Sequence, residues 1–147
     1  PDEAVDHVAF FLEEKGFCCG VMPSYFLLKA LAGAGHYEGV YRLLTNEGDH
    51  GWVNMLREGA TTCFEAWGKA QKWNTSLCHP WATAPVSIVI EELAGIHPDP
   101  GEEKGYRFEP HIPDSVGQFH LTVPYGGNCY QVVKEEGDDR PFIVQLF

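Results

Sequence analysis

Glu65 is the residue whose neighbours in the sequence best fit a role in chemistry. It lies in the segment GATTCFEAW, from Gly59 to Trp67, which has few helix-forming signals. A carboxylate flanked by aromatic residues such as Phe64 and Trp67 can have its pKa raised by desolvation, or can hold a water as a general base. The alternative is a solvated surface glutamate, and the spacing alone leaves both interpretations open.

All four tryptophans fall in the same part of the chain, at Trp52, Trp67, Trp73 and Trp81. An indole is a rigid amphipathic plate that stacks on the C–H face of a sugar ring. The same side chains would also fill a helical core. Their clustering around a glutamate and a histidine favours a carbohydrate site over a core alone.

His79, in the segment SLCHPWATAP, is the second polar candidate. It can hydrogen-bond a sugar hydroxyl, or it can be a core histidine with internal partners. No two histidines have the spacing of a metal pair, no CxxC pair occurs among the five cysteines, and no glycine-rich phosphate loop follows a strand. The sequence therefore predicts no metal and no other cofactor, and it predicts reduced, mostly buried thiols.

The net charge of the chain indicates which classes of binding partner are compatible with it. The net charge is −11, and the 10 Lys and Arg residues form no patch. Nucleic acid and an anionic membrane surface are therefore excluded as partners, whereas a neutral small molecule such as a sugar is compatible. No apolar run approaches the roughly 20 residues that cross a bilayer, so no membrane insertion is predicted.

The first residues, PDEAVDHVAFFLEE, show neither a signal peptide nor an initiator methionine. We therefore expect an excised fragment or a processed chain. It is predicted to be soluble, and whether it is cytoplasmic or periplasmic stays open.

The first two thirds of the chain have helical periodicity, with glycines where the pattern stops. The second helix, YFLLKALA, is apolar nearly all round and must be covered on most sides. It meets the next helix at Gly33-Ala34-Gly35, which predicts a helical hairpin. Helices are predicted over residues 2–14, 24–33, 36–45 and 52–57, and from Trp81 or Thr83 to Leu93.

The composition changes after Gly95. Residues 97–105 are rich in Pro and Gly and predict a loop. Beyond them the apolar period becomes two, and Gly126-Gly127 is a hairpin signal between two alternating runs. The fold class is therefore α+β. Four short antiparallel strands are predicted, within residues 106–111, 119–123, 129–133 and 141–147.

The segment GATTCFEAW resembles the Gly-x-Thr-Thr-x-x-Glu-x-Trp stretch that carries a catalytic glutamate in the glycoside hydrolase family 78 α-L-rhamnosidases. Residues 20–44 resemble the family's late helical hairpin. Residues 71–101 resemble its Asn/Ser-rich loop, histidine and final barrel helix. YRFEPHIP and FHLTVPYG resemble the opening strands of its C-terminal β domain, so the resemblance covers nearly the whole chain.

The resemblance implies a division into two domains. Residues 1–100 would be the last hairpins of a six-hairpin (α/α)6 glycosidase barrel, and residues 101–147 would be a small antiparallel β region from the C-terminal rhamnosidase β domain. Family members are inverting and use two carboxyls roughly 6.5–9.5 Å apart. Nothing in the chain matches the Asp- and Arg-rich stretch that carries the family's general acid, so the chain would hold half of an active site.

The match also implies roles for individual residues. Glu65 aligns with the general base, and His79 aligns with a residue that contacts the bound rhamnose. Trp52 and Trp67 align with aromatic wall positions. Phe64 departs from the family, because many members have Trp there.

The leading hypothesis is a C-terminal fragment of an inverting α-L-rhamnosidase, inactive or nearly so alone, which leaves open whether the chain is itself an enzyme. The alternatives are a non-catalytic carbohydrate-binding module and a structural or interaction domain. The predicted partner is a carbohydrate, namely a rhamnosylated glycan or glycoside. Helix faces taken from a closed barrel would be exposed, so we expect a homodimer or larger assembly, or a compact rearranged fold.

Overall fold

The computed structural model describes residues 2–146. It confirms the α+β class, since helices form the first part of the chain and small antiparallel sheets form the second. The chain has two compact units, Pro1–Ile88 and Val89–Phe147, which we name the helical unit and the β unit. The assignment of residues 1–100 and 101–147 to two domains stays a prediction.

The long helix predicted to end at Leu93 is instead a series of short pieces. A 3₁₀ turn, Pro80–Ala82, comes first, and a π-helical stretch, Ile88–Leu93, comes last. Pro85 contributes to the break, because its ring fixes the backbone and it has no N–H to donate. The α-helices are α1 (Asp2–Lys15), α2 (Val21–Gly33), α3 (Tyr37–Leu44), α4 (Trp52–Arg57) and the single turn α5 (Ala84–Ser87).

The helix α2 begins earlier than predicted, at Val21 rather than at Ser24. Pro23 is tolerated in the first turn, because the N–H that it lacks would have no partner in the helix. The Ser24 hydroxyl donates to the Val21 carbonyl and is buried. Phe26, on the same helix, is exposed, which agrees with an apolar surface on more than one side. Self-association through such a face stays a prediction.

The predicted hairpin of α2 and α3 is confirmed. Gly35 has a positive φ of 84°, and the next N–H, of His36, donates to the Leu31 carbonyl over 2.9 Å. The periodicity of α3 predicts that Val40, Leu43 and Leu44 are buried; Val40 and Leu43 are buried, and Leu44 is half-buried. The helix α3 packs on both α1 and α2.

The apolar spacing of α1 predicts that Val5, Val8, Ala9 and Leu12 form one buried face, and this prediction is only partly correct. Ala9 and Leu12 are buried, but Val8 is exposed and Val5 is half-buried. The helix ends where predicted, because Gly16 has a φ of 68° and its N–H donates to the Leu12 carbonyl over 2.8 Å.

The β unit has five strands within residues 89–146, one more than predicted. The additional strand starts at Ile96 and extends into residues 97–105, which were predicted to be a loop. Its Pro and Gly content favoured a loop, but pairing with the next strand forms a two-stranded sheet. The last strand is shorter than predicted, and Phe147 lies outside the described residues. The strands are β1 (Ile96–Pro98), β2 (Tyr106–Phe108), β3 (Phe119–Tyr125), β4 (Asn128–Lys134) and β5 (Phe142–Gln145).

The second sheet has the order β3-β4-β5 and is antiparallel throughout. The hairpin predicted at Gly126-Gly127 is confirmed, and Tyr125 pairs with Asn128 across it. Both glycines have positive φ, 58° and 81°, which is the backbone that a two-residue hairpin turn requires. The core of the unit joins both sheets and contains Ala94, Ile96, Tyr106, Val123, Tyr130 and Val132.

The backbone at Gly95 lies very close to the backbone at Glu109. Its φ is 70°, and the Glu109 N–H donates to its carbonyl over 2.8 Å. A Cβ atom at this position would lie 1.9 Å from the Glu109 carbonyl oxygen. Only a glycine therefore fits here without movement of the backbone.

Replacing Gly95 with Ala should destabilise the β unit by about 1–3 kcal/mol or more, because a left-handed backbone and a steric overlap coincide there. The measurement is the free energy of unfolding from denaturant titration. Gly117→Ala is the matched control, since a Cβ at Gly117 meets nothing within 4 Å. Equal stability of the two variants would contradict the prediction.

Candidate functional site

Two irregular segments of the helical unit run side by side and carry Glu65 and His79. The Glu65 N–H donates to the Ser76 carbonyl over 2.8 Å, and the His79 N–H donates to the Cys63 carbonyl over 2.9 Å. The Thr62 hydroxyl adds a third bond, to a backbone carbonyl of the other segment. The structure thus brings the two predicted polar site residues together without a helix or a strand.

Both oxygens of the Glu65 carboxylate have partners. The Ser76 N–H donates to Oε2 over 3.0 Å, so residues 65 and 76 exchange a backbone bond and a side-chain bond. The Lys72 ammonium donates to Oε1. The Glu65 side chain is 15% exposed and that of Lys72 is 42% exposed, so the pair lies at the surface with the carboxylate on its inner side.

These partners hold the pKa of Glu65 below its ordinary value. The hydrogen bond from Lys72 is the largest cause, and the bond from the Ser76 N–H is the next. Burial acts in the opposite direction, while the charges of Lys72 and His79 lower the pKa further. The sequence-based suggestion of a pKa raised by desolvation is therefore wrong, because stabilisation of the charged form outweighs burial.

His79 contacts an exposed tryptophan. Its ring centroid is 4.1 Å from that of Trp81, with the planes tilted by 41°. His79 is half-buried and Trp81 is 47% exposed, so both present surface to solvent. Trp73, next to Lys72 in the chain, is 95% exposed. The indoles available for stacking on a sugar are therefore those of Trp73 and Trp81.

Trp52 and Trp67 are core residues in this structure, at 8% and 2% exposure. Each indole N–H donates to a backbone carbonyl, that of Ala82 for Trp52 and that of Cys19 for Trp67, over 2.8 Å and 2.7 Å. The Phe17 ring stacks on Trp67 at 5.0 Å and meets Trp52 edge-on at 5.5 Å. The core-filling alternative therefore describes these two side chains, and as placed they offer little surface to a ligand.

The helix α4 anchors the loop that follows Glu65. The Asn54 side-chain amide donates to the Trp67 carbonyl over 2.9 Å, and the Lys69 N–H donates to Glu58 Oε2 over 2.6 Å. A Cβ at Gly68 would lie 2.6 Å from Glu58 Oε1, so the Glu58 side chain would have to shift if residue 68 carried one. The loop therefore leaves Glu65 along a path fixed by Asn54 of α4 and by Glu58, the residue that follows α4.

Two contributors to the site were not predicted from the sequence. Lys72 lies in the segment KAQKWN, and nothing in that segment distinguishes it from an ordinary solvated lysine. Ser76 acts through its backbone N–H, which residue type does not reveal. The available signal for Lys72 was its position in a short loop between the candidate base and the candidate histidine.

The cysteines differ from the prediction of mostly buried thiols. All five are free; Cys18 and Cys78 are exposed, and Cys19, Cys63 and Cys129 are half-buried. Partial burial raises the pKa of the Cys19 and Cys63 thiols. Within residues 2–146 no cluster of His, Cys, Asp and Glu has the geometry to hold a metal, and no helix is long and apolar enough to span a membrane.

Residues 2–93, which include Glu65 and His79, match the family model described as the bacterial alpha-L-rhamnosidase 6 hairpin glycosidase domain. The chain therefore belongs to this family of six-hairpin glycosidase domains, which confirms the predicted resemblance.

A curated relative gives a second comparison. The chain is 29% identical over 119 residues to an alpha-L-rhamnosidase of Formosa agariphila. That alignment covers 73% of this chain and 12% of the relative, so the chain spans a small part of the relative's length. No solved structure matches the chain.

Replacing Glu65 with Gln should lower the melting temperature at neutral pH, because the neutral amide cannot form an ion pair with the Lys72 ammonium. The pKa of Glu65 is lowered in the folded state. Its stabilising effect is therefore fully present above the unfolded value of about 4.3, and it is lost as the pH falls through the folded value. Thermal unfolding followed by circular dichroism should show the difference from the wild type shrinking at acid pH.

Glu47→Gln is the matched control for this measurement. Glu47 is also a glutamate in an ion pair, with Arg57 at 2.7 Å, but its side chain is 78% exposed. A surface pair of this kind contributes little to stability. A melting-temperature difference for Glu65→Gln that stayed constant from neutral to acid pH would contradict the role of ionisation.

Proposed function

We propose that the helical unit supplies the general base of an inverting α-L-rhamnosidase, and that Glu65 is this base. The observation that carries the proposal is the environment of Glu65. Its side chain is 15% exposed, and its carboxylate accepts hydrogen bonds from the Lys72 ammonium and the Ser76 N–H. These partners favour the ionised form, which a general base must have before it accepts a proton. The matched family supports rhamnosides as the substrate class.

The chemical step assigned to Glu65 is the activation of water. A carboxylate oxygen accepts a proton from the water while the water oxygen forms a bond to the anomeric carbon. The glycosidic C–O bond breaks on the opposite face of the sugar, and its electron pair stays on the leaving oxygen, which takes a proton from a separate carboxylic acid. The products are rhamnose with inverted anomeric configuration and the leaving alcohol.

The proposed sugar contacts are His79 and the indole of Trp81 beside it. The imidazole can hydrogen-bond a ring hydroxyl, and the exposed part of the indole can stack on a C–H face. Trp52 and Trp67 are proposed to act indirectly, because they are buried and support the backbone on which Glu65 lies.

The proposed site lacks its second carboxyl. The Asp- and Arg-rich stretch expected to carry the general acid has no counterpart in the sequence. An inverting mechanism needs both groups, at roughly 6.5–9.5 Å from each other. We therefore propose that the acid comes from other hairpins of the glycosidase domain.

A second candidate function is carbohydrate binding without hydrolysis. The exposure of Trp73 and Trp81, at 95% and 47%, favours it, because an indole left in water is a ready platform for a sugar ring. In this function Glu65 would only accept hydrogen bonds from sugar hydroxyls.

The chain alone should release no aglycone from an aryl α-L-rhamnoside above the level of its Glu65→Gln variant. The reason is that each acid or base group contributes about 10²–10⁴-fold, and only the base is present. The absorbance of the released aglycone measures the rate. Turnover by the wild-type chain that Glu65→Gln abolishes would contradict the incomplete site.

The assignment of the base is tested by supplying the remaining hairpins of the domain, on the same polypeptide or in trans. Glu65→Gln should then lower kcat by about 10²–10⁴-fold, because water is no longer deprotonated. Glu47→Gln, the same substitution at an exposed ion pair, should leave kcat unchanged. Equal rates for the two variants would show that Glu65 is not the base.

Titration with L-rhamnose should change the tryptophan fluorescence of the chain, because Trp81 borders the proposed sugar site. His79→Ala should weaken binding, by about 5- to 10-fold for one hydrogen bond to a neutral hydroxyl. His97→Ala, at a half-buried histidine on β1, is the matched control and should bind as the wild type does. No fluorescence change with any variant would contradict both carbohydrate functions.

A further inference from the structure

Lys72 is the one described residue whose ammonium bonds the Glu65 carboxylate. Its contact is with Oε1, while the Ser76 N–H donates to Oε2 over 3.0 Å. Two donors on different oxygens fix both the position of the carboxylate and the rotation of its plane. We propose that Lys72 is a positioning residue that holds Glu65 ionised and oriented, and this inference rests on the proposed role of Glu65 as a base.

The backbone of Lys72 is itself held in place. Its carbonyl accepts two hydrogen bonds from Thr75, one from the hydroxyl at 2.8 Å and one from the N–H at 3.3 Å. Just before it, the Gln71 N–H donates to the Gly68 carbonyl over 3.2 Å. The side chain of Lys72 therefore starts from a turn fixed on both sides, which lowers the entropy lost when its ammonium reaches Glu65.

Lys69, a second lysine of the same loop, contacts Glu58 and not Glu65. The ammonium of Lys69 donates to the Glu58 carbonyl and lies 5.8 Å from the centre of the Phe64 ring. Its backbone N–H also bonds Glu58, over 2.6 Å. Lys69 thus bonds Glu58, the residue that follows α4, while Lys72 bonds Glu65. Lys69 is therefore a control residue of the same charge in the same loop.

The charged groups that act on Glu65 are Lys72 and His79, and the effect of both is to stabilise the carboxylate. The effect of Lys72 is the larger, because it combines a hydrogen bond with its charge. A general base with such a partner stays ionised in mildly acidic solution. Its carboxylate also stays aimed in one direction, which is the geometry that directed proton transfer needs.

The test is a pH titration of the Glu65 carboxyl carbon by NMR, in the intact chain and without substrate. Lys72→Met should move the titration midpoint to higher pH, and Lys72→Arg should keep it near the wild-type value. Lys69→Met should leave the midpoint unchanged. Hydrogen exchange of the Ser76 amide, read in the same samples, should accelerate in Lys72→Met, because its acceptor loses one of two anchors.

An unchanged midpoint in Lys72→Met would overturn the proposal. Equal midpoint shifts in Lys72→Met and Lys69→Met would also overturn it, since that result reports loop charge in general. A shifted midpoint with unchanged exchange at Ser76 would reject the orienting role. Because no rhamnoside is used, failure of these measurements is distinct from failure of Glu65→Gln to lower kcat, which concerns the proposed function.

Discussion

Residues 65 and 76 exchange two hydrogen bonds, one between their backbones and one that ends on the Glu65 carboxylate. The rest of the candidate site depends on this exchange, because the segments that it joins have no helix or strand to fix them. One bond satisfies backbone groups that would otherwise need water. The other fixes the carboxylate directly to that backbone. The same pair of residues therefore closes the loop and orients the carboxylate.

A buried aromatic cluster supports this arrangement. Phe17 packs on both Trp52 and Trp67, and each indole N–H has a carbonyl partner. Large aromatic side chains bury much apolar area and tolerate few orientations once packed. Since Trp67 lies close to Glu65 in the chain, the cluster limits how far the Glu65 segment can move. Trp52 and Trp67 thus contribute stability, whereas Trp73 and Trp81 are exposed to solvent.

Much of the fold could be predicted because its signals are local. Helical periodicity and Gly16 located α1 and its end, and Gly126-Gly127 located the hairpin of β3 and β4. The site was only partly predictable. The resemblance indicated Glu65 and His79, but whether a tryptophan such as Trp52 is buried depends on long-range packing. The contact of Lys72 with Glu65 likewise depends on a loop path that Asn54 and Glu58 fix, and residue types do not encode that path.

The residues between Glu65 and Ser76 form a loop whose two ends are bonded together. For such a loop, each doubling of length costs only about 0.6 kcal/mol in closure entropy. Trp73 lies in this loop and is 95% exposed. The closure entropy therefore sets little limit on the length of this loop, and the bonds between residues 65 and 76 can persist when residues are inserted in it. For the proposed carbohydrate site, loop length is therefore a feature that can change separately from the bonds that hold Glu65.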